Sequence, residues 1–175
     1  MRIFQVVSIS ILLALGACGQ AGAPAEAGAQ TGDALTDADK AAIMQTLDFR
    51  ADANAQVENA CGNYVTPQFS AVDLGGDVGV AHLIVVPGGD NSPTCYGDGP
   101  GALILLRRDG ATFRQIYMNQ GGFLAVLATQ TNGVRDLAHA GPGFQHPMFT
   151  WNGNEYTPAG RAIADADMSD ATILP

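Results

Sequence analysis

Short apolar runs separated by turn residues dominate the chain from Val57 onward. Such runs, bounded by Gly, Pro, Asn and Asp, are typical of β-strands. On this pattern strands are predicted near 68–74, 80–87, 101–108, 112–118, 123–128, 134–139, 146–151 and 154–158. Two pairs of runs are joined by Asp109-Gly110 and by Asn152-Gly153, dipeptides that favour the centre of tight hairpin turns. The pattern therefore predicts antiparallel hairpins.

One helix is predicted ahead of the strands. Thr36 is a good N-cap, and Asp39 stands three residues further on, where a capping box places its acidic partner. Apolar residues follow at helical spacing, so the segment 37–52 is predicted to form an amphipathic helix. The residues expected to face the core are Ile43, Met44 and Leu47.

A weak internal repeat accompanies the strand pattern. Gly79–Leu83 aligns with Gly133–Leu137, and Leu106–Phe113 aligns with Phe149–Tyr156. Each copy contains a strand, a glycine-rich loop, a second strand, a tight turn and a third strand. The expected fold is thus mainly β with one N-terminal helix and a small antiparallel sheet domain. The short alignment leaves two interpretations, a duplication that gives two related β units or a chance match.

The first residues have the layout of a secretory signal. Arg2 supplies a positive charge, and a mostly apolar stretch follows from Ile3 to Leu15. That stretch is shorter than the ~20 apolar residues that span a bilayer as a helix. It ends in Leu15-Gly16-Ala17-Cys18, which resembles the lipobox of bacterial lipoproteins.

The lipobox resemblance implies that the chain is cut before Cys18 and carries lipid on that cysteine. The alternative is an ordinary secretory signal followed by a chance cysteine, but an ordinary cleavage site prefers a small residue where Leu15 stands. Gly19, where an inner-membrane lipoprotein would carry Asp, implies the outer membrane with the domain facing the periplasm. The expected location is therefore the cell envelope, attached to the membrane through lipid on Cys18.

Composition and residue pattern divide the chain after the signal into three segments. Residues 18–35 are small and without periodicity, which is typical of a flexible tether. Residues 36–160 carry the strand and helix patterns and are predicted to form one globular domain. Residues 161–175 show no strong pattern and are expected to be loosely ordered.

The chain is acidic, with 17 Asp and Glu against 8 Lys and Arg and a formal net charge of −9. Removal of residues 1–17 takes away Arg2 and no acid, so the charge becomes −10. Such a surface repels polyanions, and nucleic-acid binding is therefore not expected.

The chain has three cysteines. If Cys18 carries lipid, Cys61 and Cys95 remain, and in an oxidising compartment the simplest expectation is a disulfide between them. A metal site or a thiol nucleophile is the alternative. No Cys-x-x-Cys spacing is present, and zinc would require more ligands than the sequence offers.

The second half resembles a loosely defined group of uncharacterised periplasmic proteins and lipoproteins. The shared features are Gly133-Val134-Arg135-Asp136-Leu137, Gly141-Pro142-Gly143 and the hairpin Phe149–Tyr156. This resemblance implies a β-rich envelope domain and brings no catalytic residues. Asp73–Asp77 is faintly similar to the calcium loops of integrin-type β-propeller repeats. Calcium is not expected, because Gly75 and Ala81 stand where oxygen ligands would be needed.

His139 and His146 lie on either side of the loop 141–145 and are candidates for a binding or catalytic site, with Asp136 as the nearest acid. A metal is not expected because a third ligand is lacking, and no cofactor is expected. The serine-hydrolase motif Gly-x-Ser-x-Gly is absent.

Aromatic residues are the other candidates. Trp151 and Phe149 share one face of a strand. That face either packs in the core or forms a recognition patch with the loop 141–146. The residues proposed for binding are therefore His139, Phe144, His146, Trp151 and Tyr156.

The expected function is a membrane-anchored, non-enzymatic binding or accessory protein. Its partner would be an envelope protein, a glycan or a small ligand. One alternative is a small envelope hydrolase with a polar site near His139 and His146. Another is a structural subunit of an envelope complex, which would show an exposed apolar patch.

Overall fold

A computed structural model describes residues 34–174 except 98, 142 and 144, and it does not describe the side chain of Asn91. The predicted signal, Cys18 and the tether up to residue 33 lie outside the described residues, as does Phe144. No helix within the described part of the chain is long and apolar enough to cross a membrane.

The helix α1 spans Asp37–Thr46 and begins as predicted. The Thr36 hydroxyl accepts a hydrogen bond from the backbone N–H of Asp39, and the Asp39 carboxylate accepts one from the N–H of Thr36. This reciprocal pair is the capping box, which satisfies two backbone donors at the start of the helix.

The helix ends earlier than the predicted residue 52. Asp48 adopts a left-handed conformation with φ 53°. Its N–H donates to the carbonyl of Gln45, and the N–H of Phe49 donates to the carbonyl of Met44. These bonds form a Schellman motif, which terminates a helix and usually has glycine where Asp48 stands.

Two antiparallel sheets form the body of the domain. The first has the order β3-β4-β5-β6. Its strands are β3 Gln68–Asp73, β4 Val80–Pro87, β5 Gly101–Asp109 and β6 Thr112–Gln120. A separate pair, β1 Val57–Glu58 and β2 Tyr64–Val65, precedes it.

The second sheet has the order β10-β9-β8-β7-β11. Its strands are β7 Phe123–Thr131, β8 Val134–Ala140, β9 Gln145–Trp151, β10 Tyr156–Ala164 and β11 Thr172–Leu174. The fold is therefore mainly β with one main helix and small antiparallel sheets, as the sequence predicted.

The two units of the predicted repeat have the same meander topology. Leu83 pairs with Leu105 in the first sheet, and Leu137 pairs with Phe149 in the second. All four pack in one cluster between the sheets. The sequence alignment matched Phe149 with Leu106, whereas the strand pairing matches Phe149 with Leu105 as equivalent positions of the two units. The second aligned segment is therefore displaced by one residue in the structure.

Both predicted hairpins form, but their turns differ from the prediction. Asp109 pairs with Thr112, so the two turn residues are Gly110 and Ala111 rather than Asp109 and Gly110. Gly110 alone of these two has a positive φ, as in a type II′ turn. Trp151 pairs with Tyr156, which makes the second loop four residues long.

Three apolar clusters run through the layers. The largest fills the space between the sheets, with Leu83 and Leu103 on one side and Leu124 and Leu137 on the other. A second covers the outer face of the first sheet, where Ile43 of α1 packs with residues such as Ile84 and Ile104. Because β4 and β5 face apolar layers on both sides, each strand contains a run of six consecutive buried residues.

The third cluster lies on the outer face of the second sheet, and residues after 160 cover it. The floor consists of Ala125, Leu127, Ala138, Ala140 and Met148. Ile163, Met168 and Ala171 pack against this floor. The chain thus crosses the sheet from β10 at one edge to β11, which pairs with β7, at the other.

The tail 161–175 was expected to be loosely ordered, and here the structure differs. Residues 161–164 continue β10, a 3₁₀ turn follows at Asp165–Met168, and β11 occupies Thr172–Leu174. The sequence shows little periodicity there because none of the described side chains after residue 160 is fully buried. Backbone pairing and contacts with small alanines hold the segment in place.

A disulfide joins Cys61 to Cys95, as predicted, with a Cα–Cα distance of 5.8 Å. Cys61 lies between β1 and β2, and Cys95 lies in the short helix α2, Ser92–Tyr96. Asn59 supports the same attachment, because its side-chain amide donates to the carbonyl of Pro87 at 2.8 Å. The segment before the first sheet is therefore fastened to the loop that follows β4.

Candidate functional site

The aromatic residues proposed for binding belong to the core between the sheets. Trp151 is 1% exposed and Tyr156 is 7% exposed. Their rings meet edge to face at 5.5 Å, and Tyr117 meets Phe149 in the same way at 5.1 Å. Of the two alternatives for this strand face, the structure shows the core. Trp151 and Tyr156 are thus corrected from recognition residues to residues that hold the sheets together.

Tyr156 is also tied to the second sheet by its hydroxyl group, which donates to the carbonyl of Arg135 at 2.7 Å. Burial and the neighbouring negative charge of Asp136 raise the pKa of the Tyr156 phenol. The side chain is therefore a neutral hydrogen-bond donor with a structural partner.

His139 and His146 do not converge on the loop between them. His139 contacts Asn119 of the first sheet and so points into the space between the sheets. His146 is buried and contacts the carboxylate of Asp165 in the 3₁₀ turn that crosses the outer face. The two imidazoles leave the second sheet on opposite faces, which contradicts the expected pair.

Asp136, the acid considered with them, is 1% exposed and accepts a hydrogen bond from the hydroxyl of Thr129 at 2.8 Å. Within the described residues, no three or more His, Cys, Asp or Glu side chains are grouped closely enough to hold a metal ion. The residues considered for a hydrolytic site are thus distributed over separate environments.

A polar chain that the sequence did not predict links His139 to Asn119 and Tyr117. The amide nitrogen of Asn119 contacts Nδ1 of His139 and lies 3.3 Å from the hydroxyl of Tyr117. The amide oxygen of Asn119 accepts from the backbone N–H of Gln120 at 2.8 Å. This contact fixes the orientation of the amide, because oxygen must face the Gln120 N–H.

The orientation of Asn119 fixes the tautomer of His139. Since the Asn119 nitrogen can only donate, Nδ1 of His139 must accept and carries no proton. The neutral imidazole then carries its proton on Nε2. Burial, together with the charge of His146, lowers the pKa of His139. Burial also raises the pKa of Tyr117 to about 12, against the opposing effect of its hydrogen bond to Asn119.

Glycine residues, which lack a side chain, leave room for the His139 ring. Gly122 has φ +62°, and a Cβ atom built there would lie 2.5 Å from Nε2 of His139 and 2.6 Å from the carbonyl oxygen of Ala140. A Cβ on Gly99 would lie 2.0 Å from the backbone nitrogen of Gly122. We refer to the described residues of 88–100 with Gly121, Gly122 and Gly141 as the glycine-loop end of the domain.

The disulfide holds this end in place. Cys95 directly precedes Tyr96, and the Tyr96 carbonyl oxygen would lie 2.1 Å from a Cβ on Gly121. The Tyr96 hydroxyl accepts from the backbone N–H of Ala60, next to Cys61, at 3.0 Å. The loops around His139 are therefore held together by close backbone contacts and by the disulfide.

The electrostatic character of this end is neutral to acidic. The described residues in the ranges 88–101, 121–122 and 141–145 include no Lys or Arg, and the acid among them is Asp90. The functional groups of the described polar chain are an imidazole, an amide and a phenol, all uncharged at neutral pH. Chemically, the arrangement can donate and accept hydrogen bonds.

Sequence reasoning named His139 but missed Asn119 and Tyr117. Their positions at alternate residues of β6, just before Gly121-Gly122, indicate a shared strand face near a loop. Only the packing of one sheet on the other shows that this face meets His139.

Comparison with known protein families, with curated proteins and with solved structures gave no match in any of the three searches.

Proposed function

We propose that this protein is an envelope lipoprotein, anchored through lipid on Cys18, whose β domain is a non-enzymatic binding or accessory module. The observation that carries the anchoring is the sequence Leu15-Gly16-Ala17-Cys18 directly after a short apolar stretch. Several acyl chains give stable attachment, since each buried methylene contributes ~0.8 kcal/mol and one chain alone is marginal.

The disulfide supports export. Disulfides persist in oxidising compartments such as the bacterial periplasm and are rare in the cytosol. The bond between Cys61 and Cys95 leaves Cys18, of the three cysteines, for lipid. This division of the cysteines agrees with a periplasmic domain held on an outer membrane.

The geometry around the histidines favours binding over hydrolysis. A general base requires a nucleophile or a water-positioning partner within reach, and often an acid that orients it. The described contacts of His139 are made with an amide, whereas His146 contacts Asp165 on the opposite face. The neutral donor at the glycine-loop end supports a recognition role.

The anchoring is tested with Cys18→Ser in the full chain, expressed in a two-membrane bacterium with labelled palmitate. The wild-type protein should take up label and sediment with the membranes, whereas Cys18→Ser should take up none and remain unprocessed or soluble. The matched control is the double variant Cys61→Ser/Cys95→Ser, which should keep its label. Uptake of the palmitate label by Cys18→Ser, or its cleavage at the wild-type position, would contradict the proposal.

A further inference from the structure

We infer that Arg107 and Arg114 form a binding site for a carboxylate group at the end of the sheets opposite to the glycine-loop end. We call this the hairpin end, because it carries the turns at 110–111 and 152–155. The inference rests on the proposed binding function and specifies the chemical class of the ligand. It begins from two positive charges that the fold places side by side.

The strand register brings the two arginines together. Arg107 of β5 pairs directly with Arg114 of β6 and, on its other side, with Ala81 of β4. Ala81 belongs to the apolar cluster between the sheets, and directly paired residues share a face, so both arginines lie on the inner face of the first sheet. Like charges directly opposite each other destabilise a strand pair. An anion bound between them would remove that repulsion.

Both arginine side chains extend to the same hairpin of the second sheet. The guanidinium carbon of Arg107 lies 6.0 Å from the ring centroid of Trp151, in a cation–π arrangement. A guanidinium nitrogen of Arg114 donates to the side-chain oxygen of Asn154, three residues after Trp151. The two arginines therefore reach across between the sheets at one place and belong to a single site.

The protein neutralises these two charges only in part. The carboxylate of Asp77 lies 3.9 Å from a nitrogen of Arg107, at the outer limit of an ion pair, and its side chain is 59% exposed. Among the described residues, no carboxylate forms an ion pair with Arg114. Arg108, on the opposite face of β5, by contrast lies 2.8 Å from the carboxylate of Asp39. The inner pair of arginines is thus the one that retains uncompensated charge.

Hydrogen-bond donors also outnumber acceptors at the hairpin end. Nε of Arg107 and the indole Nε1 of Trp151 are buried, and neither has a hydrogen-bond partner in the described part of the chain. Buried polar groups are normally hydrogen-bonded, and both of these side chains carry donors only. The Arg107 side chain is nevertheless 24% exposed, so a ligand from solution can contact it. A ligand that matches this end must supply acceptors.

The surrounding charges favour a carboxylate over a phosphate. The planar fork of a guanidinium binds a carboxylate through two parallel hydrogen bonds. A phosphate group carries a charge of about −1.5 to −2 at neutral pH. Asp77 lies beside Arg107, and the exposed Glu155 directly follows Asn154, so repulsion increases with the charge of the ligand. The site therefore suits a singly charged carboxylate, such as the one that ends a peptide.

The inference is tested by titrating the lipidated full chain, in an uncharged detergent, with N-acetylalanine at about pH 7, where its carboxylate is ionised. Trp151 is the single tryptophan of the chain, so its indole ¹H–¹⁵N resonance reports on the hairpin end. We expect this resonance to shift saturably with N-acetylalanine and not with the uncharged N-methylamide of the same compound. Inorganic phosphate should bind more weakly. The absence of a saturable shift, an equal shift with the amide, or tighter binding of phosphate would overturn the inference.

Arg114→Gln is the variant that tests the pair, because this side chain is partly exposed. It should weaken binding of N-acetylalanine about tenfold, since a charge-assisted hydrogen bond is lost. The matched control is Arg161→Gln, which removes the same charge from an exposed position in the irregular part of β10 and should bind as the wild type does. Equal affinity in wild type and Arg114→Gln would contradict the inference.

Stability without a ligand separates a binding role of Arg114 from a structural one. If the two arginines repel each other, Arg114→Gln should unfold at the same urea concentration as the wild type or a higher one. A clear loss of stability would show that Arg114 serves the fold, and the inference would be wrong.

Failure of this inference and failure of the proposed function are distinguishable. If N-acetylalanine causes no shift while cross-linking in cells captures an envelope protein through the β domain, the carboxylate site is wrong and the proposed binding function stands. If N-acetylalanine binds through Arg114 but Cys18→Ser takes up the palmitate label, the carboxylate site stands and the proposed anchoring is wrong.

Discussion

Asn119 sets the chemistry of His139 by the orientation of one amide group. The backbone N–H of Gln120 holds the amide oxygen, and the nitrogen is thereby directed at Nδ1 of His139. A proton on Nδ1 would oppose the Asn119 N–H, so this contact and burial both favour the neutral ring. The state of the site thus depends on a neighbour that lies 20 residues away in the sequence.

The first prediction concerns the pH dependence of stability. Because the pKa of His139 is lower in the folded protein, the unfolded chain binds a proton first as the pH falls below about 6.5. The free energy of unfolding should therefore decrease with falling pH, by at most about 1.4 kcal/mol per pH unit from this group. His139→Gln should lose this component, as measured by urea unfolding between pH 7.5 and pH 5 (about the titration range of histidine).

Other groups titrate as well, so the quantity to compare is the difference between wild type and variant at each pH. That difference should change steadily below about pH 6.5 and be constant above it. A difference that is constant over the whole range would show that the His139 pKa is the same in both states.

At the scale of elements, the segment before the first sheet has few regular hydrogen bonds of its own. Its strands β1 and β2 have two residues each, and α1 has ten. It is fastened to the first sheet by apolar packing of Ile43, by the Asn59 side chain and by the disulfide. We therefore expect the disulfide to contribute to the stability of this segment.

The second prediction follows from that link. Closing the loop of 34 residues restricts the unfolded chain and should stabilise the fold by ~3–4 kcal/mol. Cys61→Ser and Cys95→Ser should each destabilise by a similar amount, and the double variant should be little worse than either, as measured by denaturant unfolding. Additive losses in the double variant would show that the two cysteines act independently.

At the scale of the whole molecule, two β units suffice because both outer faces are covered. The segment before β3 covers the first sheet with Ile43 and Val57. The residues after 160 cover the second sheet over a floor of small residues such as Ala125 and Ala138. A stack of two sheets without such covers would leave two apolar faces in water.

The third prediction tests the C-terminal cover. Removal of residues 165–175 exposes Ala125, Ala138 and Met148 and takes the β11 partner from β7. The free energy of unfolding should fall by roughly 2 kcal/mol or more, since apolar burial and strand pairing are lost together. Amide exchange in Leu124–Val126 should accelerate more than exchange in β4. Asp165→Asn, which keeps the cover but removes the charge beside His146, should leave amide exchange in β7 nearly unchanged.

The sequence by itself determined the features that depend on near neighbours. Alternation and turn residues located the main strands, and Thr36 with Asp39 located the start of α1, because a capping box acts over three residues. The disulfide was also predictable, since assigning Cys18 to lipid left one pair.

The tertiary structure alone decided the features that depend on distant contacts. Asp48 ends α1 in a conformation that its residue type does not require, and the tail is ordered by pairing with β7 rather than by its own pattern. His139 was named from the sequence, but which sheet face it occupies follows from register, and a shift of one residue would reverse it. Asn119 meets it only because two sheets pack together, and that packing assembles the candidate site.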